Sequence, residues 1–183
     1  MPLKTIVKVG NITNLSDARY CAGMGVDMLG FNVVENATDY ISPKSFQEIR
    51  GWITGPKIVA QIVGLPSAAA LDAVLEQYRP DLLELSTAEA NMLGTIPLPY
   101  ILVASTDTAL PTNATPAYVM IAARDTYTGD IPTLLQITTL SQLDSALADS
   151  QVHGIALEGS NEIRPGLKSY DDLADILEAL EVD

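Results

Sequence analysis

The run Val7-Lys8-Val9-Gly10-Asn11-Ile12-Thr13-Asn14-Leu15-Ser16-Asp17-Ala18 decides how the chain folds. Residues 5–9 are rich in β-branched side chains, which suit a pleated, half-buried surface. Asn14 suits a helix N-cap, and Asp17, three positions on, puts negative charge in the first helical turn. Strand, tight turn and capped helix form the first half of a βα unit. The turn lies at the carboxyl end of the strand, where α/β folds assemble their sites.

The same plan recurs along the chain. Strand-like runs cover residues 5–9, 28–34, 57–63, 81–85, 100–104, 118–122, 133–137 and 154–157. Several are continuous apolar runs, as parallel strands buried on both faces should be. Helical patterns cover residues 15–24, 43–53, 67–78, 87–93, 141–149 and 169–180. Ser42 caps the second of these, with Pro43 at the first helical position, where its missing N–H costs nothing. Ser169 caps the last, with Leu173, Ile176, Leu177 and Leu180 at core spacing. Alternating strands and helices predict an α/β fold with a parallel sheet. Eight strands favour a closed (β/α)8 TIM-type barrel over an open sheet.

Two connections depart from that plan. Residues 105–116 hold Pro111, Asn113 and Pro116 without a helical period, and residues 124–132 are too short for a helix with two loops. A parallel crossover usually takes a dozen residues or more. The expected barrel is therefore shortened, with the outer helices after strands five and six reduced or missing. Bare apolar outer faces on strands five to seven would need another cover. A homodimer through that side is the expectation.

Composition sets the outer limits. The 183 residues suit one domain spanning 1–183, with no repeat or linker, although a standard barrel takes roughly 250 residues. A 48% hydrophobic content indicates a buried core and not a disordered chain. The net charge of -13 argues against nucleic acid and anionic membranes as partners. The single cysteine, Cys21, excludes an intramolecular disulfide, and its place in a helical pattern predicts a buried, inert thiol. No leader pattern opens the sequence and no apolar run nears the ~20 residues of a membrane helix, so a cytoplasmic protein is expected.

The opening stretch resembles that of phosphoribosylanthranilate isomerase, whose first strand reads Lys-x-Cys-Gly-[Ile/Leu]-Thr before a helix. Lys8, Ile12, Thr13 and Asn14 match it. Asp27-Met28-Leu29-Gly30-Phe31 is similar to the family's second strand, and Tyr40-Ile41-Ser42-Pro43 to its Tyr-Val-Ser-Pro. Asp81-Leu82-Leu83-Glu84-Leu85 resembles the strand ending Gln-Leu-His-Gly. Gly159, Glu162, Pro165, Gly166 and Lys168 resemble the closing Gly-Val-Glu-x-x-Pro-Gly-x-Lys, with one extra residue between Gly159 and Glu162.

The resemblance implies an Amadori rearrangement of a phosphoribosyl aminoaldose. That reaction needs an acid at the ring oxygen, a base at C2′ and N–H groups for the phosphate. Against the family pattern, Gly10 stands where the cysteine base would be, and Ala122 stands near the aspartate acid. Asp125 is the fallback acid, in the following loop. Asp39 replaces an arginine, Ser86-Thr87 a His-Gly, and Gln136-Ile137-Thr138 the glycine turn for phosphate. Leu157 and Glu158 fall where the family has serines, and a carboxylate there repels phosphate. Acid and base each typically contribute ~10²–10⁴ in rate, so losing both removes most of that activity.

The remaining candidates follow from position. Lys8, Asn11, Asn32, Glu84, Gln136, Glu158 and Gly159 sit near strand ends and are the expected binding residues. Lys8 can point into the mouth or pair with Glu84 or Glu158. Arg124 and Asp125 are expected to pair in their loop, and His153 to be structural. No ligand spacing for a metal and no Gly-rich phosphate loop occurs, so no cofactor is expected. Three functions remain open. One is a barrel that has lost the isomerase reaction and binds a small polar ligand or a protein partner. Another is an active isomerase of tryptophan biosynthesis with substitute residues. The third is an enzyme for a different, cationic, small molecule, suited to Asp39, Glu84 and Glu158.

Overall fold

The computed structural model describes residues 2–159, 162–164, 167–168 and 171–182. Its first half alternates strictly: β1 (Ile6–Gly10), α1 (Leu15–Gly23), β2 (Met28–Asn32), α2 (Pro43–Arg50), β3 (Lys57–Gln61), α3 (Ala69–Tyr78), β4 (Leu82–Leu85) and α4 (Thr87–Leu93). The second half runs β5 (Tyr100–Val103), β6 (Tyr118–Ala122) and β7 (Thr133–Gln136), then a 3-10 turn (Leu140–Gln142) into α5 (Leu143–Ala148). It closes with β8 (Gly154–Glu158), β9 (Glu162–Arg164), β10 (Leu167–Lys168) and α6 (Asp171–Ala179). Strands β1 to β8 form a closed parallel barrel, sealed by pairing of Lys8 with Ala156 and Gly10 with Glu158. The antiparallel pair β9–β10, which the hydrophobic pattern did not predict, lies outside the barrel.

Local chemistry sets the helix starts. The Asn14 side chain accepts from the Asp17 N–H at 2.9 Å, and the Ser42 hydroxyl accepts from Ser45 N–H at 3.2 Å. Both are N-caps, each worth typically ~1 kcal/mol. Helix α3 begins at Ala69, two residues later than predicted, without a side-chain cap, and ends on Arg79 in the left-handed region (φ 46). The proposed Ser169 cap lies outside the described residues.

Two apolar layers hold the barrel. Met28, Val59, Leu82, Ile101, Met120, Leu134 and Ala156 fill its interior. Outside the sheet, alternate residues such as Leu29, Phe31, Leu83 and Ile155 pack with helix residues such as Phe46, Ile49 and Leu177. Phe31 and Phe46 meet edge-on at 5.0 Å between centroids, and the buried Tyr78 hydroxyl donates to the Ile41 carbonyl at 2.7 Å. That burial raises the Tyr78 pKa.

No helix follows β5 or β6, as expected. The outward side chains there are nevertheless not bare. Tyr100, Leu102, Val119 and Ile121 are all buried within the single chain. The loop after β5 folds back over this side, where Thr115 N–H donates to the Tyr100 hydroxyl at 3.1 Å. The premise for dimerisation through exposed strands is therefore corrected. At the amino end, His153 Nδ1 accepts from Thr133 N–H at 3.1 Å, a structural role. Among the described residues, no helix is long and apolar enough to cross a membrane.

Candidate functional site

Eight parallel strands deliver their last inward-facing residues to one end, and here they surround a cavity of about 210 Å³. Its floor is made by Lys8 on β1, Gln61 on β3 and Glu84 on β4, all buried. The Lys8 ammonium pairs with Glu84 Oε1, across the interior and not with a neighbouring strand. Glu84 Oε2 accepts from Gln61 Nε2 at 2.8 Å, and Gln61 Oε1 accepts from the Asn11 N–H at 2.8 Å. Each charge and amide on the floor thus has a partner, as low-dielectric surroundings require.

Two glycines make this packing possible. A Cβ on Gly10 would stand 2.9 Å from Lys8 Nζ and 3.0 Å from Gln61 Nε2. A Cβ on Gly30 would stand 3.0 Å from Gln61 Oε1. The Lys8 ammonium and the Gln61 amide occupy the space that longer residues at positions 10 and 30 would claim.

The rim is polar and more open. Asn11, in the left-handed region at φ 52, donates through Nδ2 to Glu158 Oε1 at 3.2 Å. Gln136 Nε2 donates to the same oxygen at 3.2 Å. Asn32 lines the cavity, while its Oδ1 accepts from Val34 N–H at 3.1 Å. Of the residues predicted for the site, Lys8, Gly10, Asn11, Asn32, Glu84, Gln136 and Glu158 come together here.

Three others do not. Gly159 serves the sheet instead, donating its N–H to the Gly10 carbonyl at 2.8 Å. Ala122 ends β6 opposite Gln136, with a methyl group and no acid. The Asp125 carboxylate accepts from the Thr106 hydroxyl at 3.1 Å and is turned to the loop after β5, not to the cavity or to Arg124. Gln61 was missed, although it ends its strand just as Asn32 and Gln136 do; the same positional rule would have found it.

Among the described residues at this end, several N–H groups that could hold an anion are taken by the chain itself. After β7, the Gln142 Oε1 atom accepts from Thr138 N–H at 2.8 Å and from Thr139 N–H at 3.2 Å. The crevice beside them, between the ends of β7 and β8 and α6, is lined by Glu158 and Asp172. Between β3 and α4, Glu89 accepts from Gly64 N–H and Ser86 N–H, each at 2.9 Å. Burial opposes its charge, but these bonds and the Ser86 hydroxyl outweigh it and lower its pKa.

Larger cavities lie elsewhere, two of about 430 Å³ and one of about 410 Å³. The one at the amino end contains Asp27, whose carboxylate is held by the Val7 N–H at 2.8 Å. Among the described residues, no group of three or more His, Cys, Asp or Glu side chains is placed to hold a metal ion.

No family model and no curated protein matches the chain. Solved structures do. A phosphoribosyl anthranilate isomerase from Thermus thermophilus is similar at TM-score 0.74 and 18% identity, over 96% of this chain and 98% of that one. TrpF from Jonesia denitrificans is similar at TM-score 0.71 and 16% identity, over 96% of each. Monomers of the dimeric phosphoribosylanthranilate isomerase from Thermotoga maritima follow at TM-score 0.68 and 16% identity, over 95% and 97%. At such identities the likeness shows the fold, and it falls on the family that the sequence motifs resemble.

Proposed function

We propose that residues 1–183 form one phosphoribosylanthranilate isomerase-like barrel domain that has lost the Amadori reaction. Its mouth binds a small polar ligand, in the cytoplasm. The observation that carries this reading is the floor: at Gly10 there is no base, and the Lys8–Glu84–Gln61 network fills the place of one. The phosphate side supports it, since the Thr138 and Thr139 N–H groups already serve Gln142. Size agrees as well. At ~30 Å³ per water, the cavity holds about seven waters. A protein partner seated on the mouth is the other occupant of the same class.

Growth of a tryptophan auxotroph lacking the isomerase tests the reading. The unaltered gene should give no rescue, and robust rescue overturns it; that result would favour the active enzyme, with Asp125 swung inward as acid. A cationic ligand has one observation in its favour, the exposed Glu158 on the rim, because the Glu84 charge is spent on Lys8 and Asp39 is not among the cavity residues. Thermal-shift screening with matched amine and alcohol compounds separates the two. A homodimer on the β5–β7 side would meet loops instead of strands, and light scattering at micromolar concentration decides whether it forms.

A further inference from the structure

The Lys8–Glu84 pair is hard to explain by stability alone. Two charges taken from water into a barrel interior gain little over two packed hydrocarbons, and replacing such pairs is often neutral or stabilising. The cavity they share is also lined by the apolar Met120, Ala156, Val103 and Leu157. Yet Lys8 does not sit in a closed core. It lines the cavity, and Gly10 above it presents no side chain. Its nitrogen also stands 3.8 Å from the Met120 sulfur.

We infer that Lys8 is a carbonyl-capturing amine: it forms a Schiff base with a small, uncharged hydroxy-aldehyde or hydroxy-ketone entering the mouth. This rests on the reading of the mouth as a ligand site and names the ligand class. Lysines in such desolvated settings are the ones chemistry uses as nucleophiles.

The proton accounting closes on one partner. Lys8 passes a proton to Glu84, and the neutral amine adds to the carbonyl carbon. Glu84 returns that proton to the carbonyl oxygen, giving a carbinolamine. A second proton moves from nitrogen to Glu84 and leaves with the hydroxyl as water. The product is an iminium at Lys8, still paired with the Glu84 carboxylate. One C–N bond forms, one C=O bond is lost, one water departs, and the net charge is unchanged. Gln61 acts as a positioning residue, since its amide fixes Glu84 Oε2. Asn11, Asn32 and Gln136 offer amides to the ligand's hydroxyls. Among the described residues, the occupied Thr138 N–H group and the acidic crevice disfavour a phosphorylated sugar.

The test is reductive trapping on the full-length protein. Glycolaldehyde and cyanoborohydride are added, and peptides are mapped by mass spectrometry. Lys8 should gain the label at least about tenfold faster than the exposed Lys4 and Lys44, a margin set below the ~10²–10⁴ of proton-transfer assistance. Glu84→Gln should abolish that preference. Should that variant fail to fold, Gly10→Ala serves: its Cβ, 2.9 Å from the nitrogen, should slow trapping at Lys8 alone. Labelling of Lys4 and Lys44 with Lys8 unmodified overturns the inference. In that event ethylene glycol, which has no carbonyl, separates the two readings. A saturable rise in melting temperature with ethylene glycol keeps the mouth as a ligand site; no rise removes both.

Discussion

The floor and the rim of the mouth carry the same residue types, carboxylates and amides, in opposite physical settings. Glu84 on the floor is buried and faces an ammonium and an amide. Glu158 on the rim is exposed and takes two amide hydrogen bonds on one oxygen. On the floor, desolvation makes every missing partner costly. On the rim, water replaces whatever is removed. The difference teaches that charge count says little about this mouth: burial decides which carboxylate is held by charged and amide partners of the chain and which stays open to water.

Breaking the floor should give the largest effect. Glu84→Ala leaves the Lys8 ammonium buried without its counter-charge, a loss of about 3–5 kcal/mol. Urea denaturation measures it. Lys8→Met combined with Glu84→Leu should recover most of that loss, because no charge is then stranded. If the single and double variants are equally destabilised, packing and not charge holds the floor. Next in size is Gly10→Cys, which restores the family's base in name. Its Cβ meets Lys8 and Gln61 at 2.9–3.0 Å, and overpacking of this kind costs about 1–3 kcal/mol. It should not rescue the auxotroph, with Ala122 still in place of the acid.

Much of this barrel could be read in advance, for stated reasons. Buried parallel strands leave long apolar runs, so β6 was placed to the residue and the others to within one or two. Asn14 and Ser42 declared their helices through cap chemistry. The antiparallel pair β9–β10 was not legible, because strands of three and two residues carry no usable alternation. The cover over β5–β7 was not legible either: residues 105–116 have no periodic signal, yet Thr115 reaches the Tyr100 hydroxyl. In the site, position at a strand end found Asn32, Glu84, Gln136 and Glu158. The partner of Lys8 was narrowed to Glu84 or Glu158 but not chosen between them, and the structure selects Glu84. The ladder neighbour of Lys8, Ala156, lies two residues before Glu158, which makes Glu158 the nearer choice on paper. Only the space left by Gly10 and Gly30 lets Lys8 and Gln61 meet Glu84 across the barrel.

Smaller effects belong to bonds that water can partly replace. Gln142→Ala frees the Thr138 and Thr139 N–H groups and should cost about 0.5–1.5 kcal/mol. Phosphate should then raise the melting temperature of the variant more than that of the parent; equal shifts would mean the glutamine does not guard an anion cradle. Glu89 gives a pH signature. Its folded pKa lies below its unfolded value, so its contribution is present above the unfolded value, near ~4.3, and is lost as pH falls through the folded one. Urea midpoints taken down an acid series should therefore fall less steeply for Glu89→Gln than for the parent, although the variant is less stable at neutral pH.

The rim supplies the smallest stability change and the sharpest contrast. Glu158→Gln keeps the shape and removes one exposed charge, so the change should stay within about 0.5 kcal/mol. The amides of Asn11 and Gln136 can donate to the new carbonyl oxygen as they did to the carboxylate. What should move is ligand preference. If amines bind the mouth through Glu158, their thermal shift vanishes in this variant while that of a neutral polyol persists. If both persist, the rim charge is a bystander and selection rests on the floor. If Glu158→Gln instead destabilises as much as Glu84→Ala, the division between a committed floor and an available rim is wrong, because the two carboxylates would then be doing the same structural task.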